Sequence, residues 1–210
     1  MKHSRWRQLA QDEARIAGEC VTVAGVDEAG RGPLAGPVVA AAVILDPTYE
    51  WEGLDDSKQM SAAAREVAYA RVLQGARAFA WAVVGPRTID RINIRMATHG
   101  AMAKAVRRLR VTPDLVLIDG HEKVAELQLE QLAVIKGDAT CLSIAAASVL
   151  AKVVRDRIMT RLDSVWPQYG FAGHKGYGSA DHIAAIHAHG PCPAHRFSFA
   201  PVRELELKLF

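Results

Sequence analysis

Hydrophobic positions along this 210-residue chain form short, nearly continuous runs, separated by longer segments in which apolar residues recur with helical spacing. The short runs predict strands at residues 21–27, 37–45, 78–84, 114–118 and 132–135. The helical spacing predicts helices at residues 61–74, 89–110, 143–165 and 181–189. The turn between the first two strands is too short for a parallel crossover, so we expect them to pair antiparallel.

The order of these elements predicts the fold class. Strands that alternate with helices after an initial hairpin are typical of an α/β fold with a mixed central β-sheet flanked by helices. We expect residues 1–20 to form an N-terminal arm or a short helix. Residues 21–210 are predicted to be a single domain with a helical C-terminal extension from about residue 166. Ser61 and Thr88 are the predicted N-caps of two helices.

Composition restricts the class of protein further. Half of the residues are hydrophobic, the formal net charge is +3, and the isoelectric point is near 8.8. This mild charge is compatible with a polyanionic partner but not typical of a protein that coats nucleic acid. Three cysteines without paired spacing indicate a reducing compartment. The longest apolar run, residues 38–45, is far below the roughly 20 residues that cross a bilayer, so we expect a cytoplasmic protein without membrane contact.

Acidic residues stand where the predicted strands end. Asp27 and Glu28 end the first strand, Asp119 ends the fourth, and Asp138 follows the fifth. Ligand sites in open α/β sheets gather at such strand ends, and carboxylates are the ligands that Mg²⁺ and Mn²⁺ prefer. Two such ions roughly 4 Å apart activate water and stabilise the leaving oxygen in phosphodiester cleavage. The alternative is that these acids are solvated surface residues.

Geometry raises one objection to a shared site for Asp27 and Glu28. Successive residues of a strand face opposite sides of the sheet, so the two side chains converge only if the chain leaves the strand at Glu28. The following Ala29-Gly30 permits such a turn. We therefore predict that the chain turns at Glu28.

Gly30, Arg31 and Gly32 follow the acidic pair directly. Glycine bares the backbone N–H groups, which together with a guanidinium can bind an anion. The same bare backbone can approach a sugar closely enough to contact a 2′-hydroxyl, the group that distinguishes RNA from DNA. The alternative is a plain hairpin connection.

Two further segments have the composition of nucleic-acid contacts. Residues 174–178, HKGYG, combine cations, glycine and Tyr177, which suits backbone contact and stacking on a sugar or base. Ser57 and Lys58 precede a helix and are candidate phosphate contacts. The alternatives are an ordinary polar loop with a half-buried tyrosine and a simple capping segment.

A zinc site and covalent catalysis find little support. His187, His189, Cys192 and His195 lie close together in sequence, but their spacing matches no standard zinc motif. A helix that ends at Gly190, followed by a proline-containing loop, explains the segment more simply. The chain also lacks the G-x-S-x-G and G-x-x-x-x-G-K-[ST] motifs.

Several motifs taken together resemble bacterial ribonuclease HII, the type 2 ribonuclease H family. They are DEAGRG, DDSKQMS, LIDG, IKGDA, SIAAASVLAKVVRD, QYGFAGHKGYG and HRFSFAPV, in this order from about residue 21 to residue 202. The pairing of DEAGRG with HKGYG is specific, whereas LIDG alone would carry little weight. The first 20 residues and the last eight have no counterpart in the resemblance, and ELELKLF at the end contains no polymerase-clamp docking sequence.

The resemblance implies an RNase H-like fold and cleavage of the RNA strand in RNA–DNA hybrids and in DNA that contains ribonucleotides. The four acids would bind metal and catalyse, with Mn²⁺ or Mg²⁺ as the cofactor and two ions per site when substrate is bound. Gly30, Arg31 and Gly32 would sense the ribose 2′-hydroxyl, and Tyr177 would stack on the following deoxyribose.

We therefore predict a metal-dependent endonuclease that cuts 5′ to a ribonucleotide paired with DNA and leaves 3′-hydroxyl and 5′-phosphate ends. No obligatory protein partner is expected. Another nuclease of the same fold, such as a DNA junction resolvase, would not need a 2′-hydroxyl. A non-catalytic nucleic-acid-binding module would use its basic residues for phosphates and its acids for structure.

Overall fold

A five-stranded mixed sheet forms the centre of the computed structural model, which describes residues 5–206. The strands are β1 (Val23–Ala29), β2 (Val38–Leu45), β3 (Ala76–Val84), β4 (Leu115–Asp119) and β5 (Gln131–Val134). Their order across the sheet is β3-β2-β1-β4-β5. β2 is antiparallel to β1 and β3, as predicted for the hairpin, and β4 is parallel to β1 and β5.

Helices cover both faces of this sheet, which confirms the predicted α/β class. They are α1 (Arg5–Ala17), α2 (Ala62–Gly75), α3 (Pro86–Ile92), α4 (Ile94–Arg107), α5 (Leu142–Val165), α6 (Phe171–His174), α7 (Ala180–His189) and α8 (Ala200–Glu206). Two short 3₁₀ turns, Gly137–Ala139 and Pro167–Tyr169, precede α5 and α6.

Strand β2 illustrates why the sheet is buried on both sides. Its alternate residues Val39, Ala41 and Val43 pack with α2 and α5, whereas their neighbours pack in a second core with α3 and α4. A strand covered on both faces has apolar residues at every position rather than at every second one. Helix α5 lies close to β1 at Gly25, where a Cβ atom would come within 2.1 Å of the Ser143 carbonyl carbon.

The predicted single helix over residues 89–110 is wrong, because the chain forms α3 and α4 with a break at Asn93. Asn93 has φ +67°, and its side chain accepts a hydrogen bond from the Met96 N–H at 3.1 Å. Asparagine tolerates positive φ better than most residues and is a strong N-cap. Helix α3 begins after Gly85 rather than at Thr88. The predicted cap at Ser61 is confirmed, since its hydroxyl accepts from the Ala64 N–H.

The two ends of the chain are helical where the structure describes them. The short helix predicted within residues 1–20 is present as α1, over residues 5–17. Residues 204–206 of the ELELKLF stretch belong to α8. Residues 1–4 and 207–210 lie outside the described range. The division into an arm over residues 1–20 and one domain over 21–210 stays a prediction. No helix within residues 5–206 has the length and apolar character needed to span a membrane.

Candidate active site

Three acidic side chains converge at one end of the sheet. Asp27 comes from β1, Asp119 from the end of β4, and Asp138 from the 3₁₀ turn that follows β5. β1 and β4 are parallel neighbours in which Val26 pairs with Ile118, so Asp27 and Asp119 reach the same edge. One carboxylate oxygen from each of the three lies within 4.8 Å of the others. The Gly137 N–H donates to Asp119 Oδ1 at 2.7 Å and joins the turn to β4.

Glu28 lies beside this cluster rather than in it. The predicted turn at Glu28 is wrong, because β1 continues to Ala29 and pairs there with Val39 of β2. Glu28 is instead 3.5 Å from the Arg31 guanidinium, by its Oε1 atom. It still lines a cavity of about 390 Å³ together with Asp27 and Asp119. The regular strand therefore separates the two neighbouring carboxylates but leaves both facing the same opening.

The electrostatics of the cluster favour a bound cation. Burial, followed by the charges of Glu28 and Asp119, raises the pKa of Asp27 well above its ordinary value. Burial and the charge of Asp138 likewise raise the pKa of Asp119. Carboxylates held this close repel one another, and a divalent cation removes that repulsion. Three hard oxygen donors fit the predicted Mg²⁺ or Mn²⁺.

Lys58 supplies the one close positive charge to Asp138 among the described ion pairs. Its Nζ atom lies 2.6 Å from Asp138 Oδ2. Burial acts to lower the pKa of Lys58, but the hydrogen bond and charge of Asp138 outweigh it and raise that pKa. Ser57 is buried and its hydroxyl lies 2.5 Å from that of Ser148. Both predicted phosphate contacts thus line the cavity, and each already has a protein partner.

Replacing Asp27 with Asn should make the metal-free protein more stable and its stability less responsive to metal. With the pKa of Asp27 raised in the folded state, the native protein binds more protons than the unfolded one between the two pKa values, so its stability falls as pH rises through that window. Asn cannot lose a proton, so D27N avoids this loss of stability at high pH. In chelator, each kcal/mol gained in the free energy of unfolding should raise the Tm of D27N by roughly 2–4 °C. We expect a larger rise at pH 8 than at pH 5.

Thermal unfolding with chelator and with Mn²⁺ checks this prediction. The wild type should gain Tm on addition of Mn²⁺, and D27N should gain much less. Equal Mn²⁺-induced shifts in the two proteins would rule out Asp27 as a ligand.

Two buried arginines lie against the turn of Gly30, Arg31 and Gly32, and sequence reasoning missed both. Arg196 donates to the carbonyl oxygens of Gly30, at 2.6 Å, and Arg31, at 2.8 Å. Arg155 of α5 donates to Pro37 O at 3.0 Å, and its Nε would lie 2.0 Å from a Cβ on Gly30, which has φ +95°. Glycine is therefore required by both conformation and space. No sequence pattern identifies the two arginines, because both bind backbone carbonyl groups.

Tyr177 completes the lining of the cavity. Its side chain is about half exposed, and its Cε1 atom lies 4.0 Å from the position of a Cβ on Gly32. The Arg155 guanidinium carbon is 5.9 Å from its ring centroid. The structure thus brings Asp119 and Tyr177, which are far apart in sequence, to one cavity with Asp27, Glu28 and the glycine turn.

Helix α1 contacts the turn that carries Asp138. Arg5 donates to the Ala139 carbonyl at 2.7 Å. Glu13 accepts from the Ser143 N–H at 2.6 Å and from its hydroxyl at 2.8 Å, at the start of α5. The sequence had left residues 1–20 without a role, because nothing in their pattern identifies the backbone and hydroxyl groups that they bind more than 100 residues away.

The histidine and cysteine residues of the tail do not form a metal site. Among the residues that the structure describes, the three-aspartate cluster is the one group whose ligand atoms are close enough for a metal. His195 is instead fully buried and accepts from the Cys192 N–H at 2.9 Å. Gly190 ends α7, as predicted.

The mixed sheet and the acidic cluster at its edge define an α/β protein of RNase H-like fold. The family model described as ribonuclease HII matches residues 24–202. The chain belongs to the ribonuclease HII family. It is therefore an endoribonuclease that acts on the RNA strand of RNA–DNA hybrids.

Individual relatives agree with this assignment. Ribonuclease HII 1 of Methylibium petroleiphilum is 56% identical over 180 residues, which covers 86% of this chain and 90% of the relative. The ribonuclease H2 structure from Pyrococcus horikoshii matches with a TM-score of 0.77 at 26% identity, over 90% of this chain and 98% of that one. Bst-RNase HIII in complex with Mn²⁺ has a TM-score of 0.72 at 19% identity, over 97% and 72%, and supports the fold alone.

Proposed function

We propose that this protein cuts duplex DNA on the 5′ side of an embedded ribonucleotide and leaves 3′-hydroxyl and 5′-phosphate ends. The observation that carries the proposal is that Asp27, Glu28, Asp119, the glycine turn and Tyr177 line one cavity. The acidic residues suit phosphodiester hydrolysis. The glycine turn and Tyr177 suit the selection of a ribose that is followed by a deoxyribose. The protein would act in the cytoplasm and would need no obligatory protein partner.

Asp27, Asp119 and Asp138 would hold the divalent cations, with Glu28 on the adjacent side of the cavity. When bound, one or two Mg²⁺ or Mn²⁺ ions supply an activated water and neutralise charge on the leaving oxygen. The hard carboxylate oxygens of the cluster support the choice of such a divalent metal. Lys58, now paired with Asp138, carries a charge that suits a neighbouring phosphate.

The glycine turn would read the sugar. The carbonyl oxygens of Gly30 and Arg31 are bound from within the protein by Arg196. This fixes the turn before substrate arrives, so that its bare backbone can approach a 2′-hydroxyl closely. The exposed ring of Tyr177 would stack on the next deoxyribose, and Ser57 would lie near the phosphates.

One assay separates this proposal from its rivals. The protein is incubated with a duplex that contains one ribonucleotide, with the matching all-DNA duplex, and with a four-way junction, each with Mg²⁺, Mn²⁺ or chelator. We expect cleavage of the first substrate only, dependent on metal, with a 3′ end that a polymerase extends without prior phosphatase treatment. Junction cleavage would favour a resolvase, and binding without cleavage would favour a non-catalytic module.

Replacing Tyr177 with Ala should reduce cleavage at a single embedded ribonucleotide by roughly 10- to 100-fold, since stacking on an aromatic ring contributes about 1–3 kcal/mol. Long hybrids should lose less, because they offer no RNA-to-DNA step. The Tm should hardly change, since the side chain is about half exposed. Cleavage rates on both substrates measure the effect, with Y177F as the control that keeps the ring. An equal loss on both substrates would contradict this role.

A further inference from the structure

Three histidines connect the segment around Tyr177 to the segment around Arg196. His174 and His182 have nearly parallel rings whose centroids are 4.4 Å apart. The Nε2 atoms of His182 and His195 are 3.0 Å apart, and both residues are fully buried. None of the three belongs to the acidic cluster, and each is hydrogen-bonded to at least one backbone group.

The partners of each ring determine where its proton lies. His182 Nδ1 is 2.8 Å from the Tyr177 carbonyl oxygen, which can only accept, so this nitrogen carries the proton. His182 Nε2 is then an acceptor and requires a donor from His195. His195 Nδ1 accepts from the Cys192 N–H at 2.9 Å, which leaves the proton on Nε2, facing His182. The Cys192 carbonyl is farther from His195 Nδ1, at 3.3 Å.

His174 has an equally definite arrangement. Its Nδ1 accepts from the Gly176 N–H at 3.1 Å, and its Nε2 lies 2.7 Å from the Tyr169 carbonyl oxygen and must donate to it. Burial lowers the pKa of His182 and lowers that of His195 to about 4. Neutral His182 and His195 rings, which this hydrogen-bonding pattern requires, are therefore the stable forms at neutral pH.

On the basis of the proposed role of Tyr177, we infer that two consecutive hydrogen bonds position Tyr177 beside the glycine turn. In the first, His195 donates to His182, and in the second, His182 donates to the Tyr177 carbonyl oxygen. The Tyr177 hydroxyl has no hydrogen bond among the described residues, so its half-exposed ring is placed by its backbone. The Tyr177 carbonyl oxygen accepts from His182 Nδ1 and from the Ser179 N–H at 2.9 Å, and the Tyr177 N–H donates to His174 O at 3.0 Å. The preceding Gly176 carbonyl accepts from the Leu34 N–H at 2.8 Å. His182 and His195 are thus positioning residues for the choice of substrate.

His195 and Arg196 are adjacent in sequence but bind two different parts of the proposed site. His195 holds the tyrosine loop, and its neighbour Arg196 binds the carbonyls of Gly30 and Arg31. Adjacent residues of one segment therefore fix both groups that would contact the ribose and the following deoxyribose. The same segment also pairs with the loop that follows the glycine turn, through a β-bridge between His195 and Ala35. The spacing between the two substrate contacts is set by this segment.

Nitrogen NMR tests the proton arrangement directly. In ¹⁵N-labelled protein near neutral pH, two-bond ¹H–¹⁵N correlations should identify His182 as the Nδ1-protonated tautomer and His174 and His195 as the Nε2-protonated tautomers. Single His-to-Gln variants assign the signals. A His182 that is Nε2-protonated or doubly protonated would overturn the inference. This readout does not depend on any cleavage activity.

A matched pair of substitutions tests the positioning role. His182→Asn keeps an N–H donor near the place of Nδ1, and His182→Leu has similar volume without it. We expect H182L to cut a single embedded ribonucleotide about tenfold more slowly, the loss typical of one buried hydrogen bond, with a smaller loss on a long hybrid. H182N should restore most of the single-ribonucleotide rate.

The comparison is made at temperatures where unfolding curves show both variants to be folded. Equal rates for H182L and H182N, or an equal loss on both substrates, would overturn the inference. If wild-type protein does not cut at the single ribonucleotide, the proposed function fails instead, while the tautomer assignment can still be correct.

Discussion

Replacing Asp119 with Asn is expected to reduce cleavage by about 1000-fold or more, since each metal contact in such a site contributes several kcal/mol to the transition state. Asp119 belongs to the cluster with Asp27 and Asp138 and lines the cavity with Glu28. Asn keeps an oxygen that can accept from the Gly137 N–H, so the turn that carries Asp138 should remain in place. Single-turnover cleavage and thermal unfolding measure the two effects separately.

Asp46→Asn provides the matched control for this substitution. Asp46 follows β2 at the opposite end of the sheet from Asp27, because β1 and β2 are antiparallel. Its carboxylate accepts from the Thr48 N–H and hydroxyl, and Asn can do the same. We expect D46N to cut at the wild-type rate. Full activity in D119N, or a comparable loss in D46N, would show that the acidic cluster is not the catalytic centre.

Replacing Gly25 with Ala should be the most damaging single change to the fold. The added Cβ would lie 2.1 Å from the Ser143 carbonyl carbon and 2.3 Å from the Ile144 nitrogen, both backbone atoms that cannot rotate away. Helix α5 would have to move from β1, and overpacking of this kind costs typically 1–3 kcal/mol and occasionally more. We expect a loss at or above the upper end of this range, measured by denaturant unfolding.

Gly100→Ala controls for the chemical change itself. Gly100 lies within α4, and a Cβ there meets nothing within 4 Å. Alanine is favoured over glycine in a helix interior by roughly 0.5–1 kcal/mol, so this variant should be slightly more stable than the wild type. If G25A were as stable as the wild type, the close contact between α5 and β1 would be wrong.

The sequence predicted the sheet and the convergence of Asp27, Asp119 and Asp138 because both depend on local patterns. Apolar runs give strands, and carboxylates after parallel neighbours reach one edge. The course of the chain at Glu28 could not be predicted, because it depends on pairing with Val39 across the hairpin. The break at Asn93 depends on one residue's conformation, which helical periodicity alone does not reveal.

The supporting residues were beyond sequence reasoning for a related reason. Arg155 and Arg196 bind backbone carbonyl groups, and a carbonyl leaves no mark in the sequence. Likewise, His195 looked like part of a weak zinc pattern, whereas its partners are another imidazole and a backbone amide. Motif reading finds residues that contact a ligand more readily than residues that hold those contacts in place.

The distance along the chain between Arg196 and the turn it binds has a consequence for protein synthesis. Arg196 comes 166 residues after Gly30 and 165 after Arg31, while all three clustered aspartates precede it by more than 50 residues. N-terminal segments leave the ribosome first, at about 5–20 residues per second. A growing chain therefore contains the acids for several seconds before the guanidinium of Arg196 has been made. The turn that we propose to select the ribose is completed only after the acids of the cluster have been synthesised.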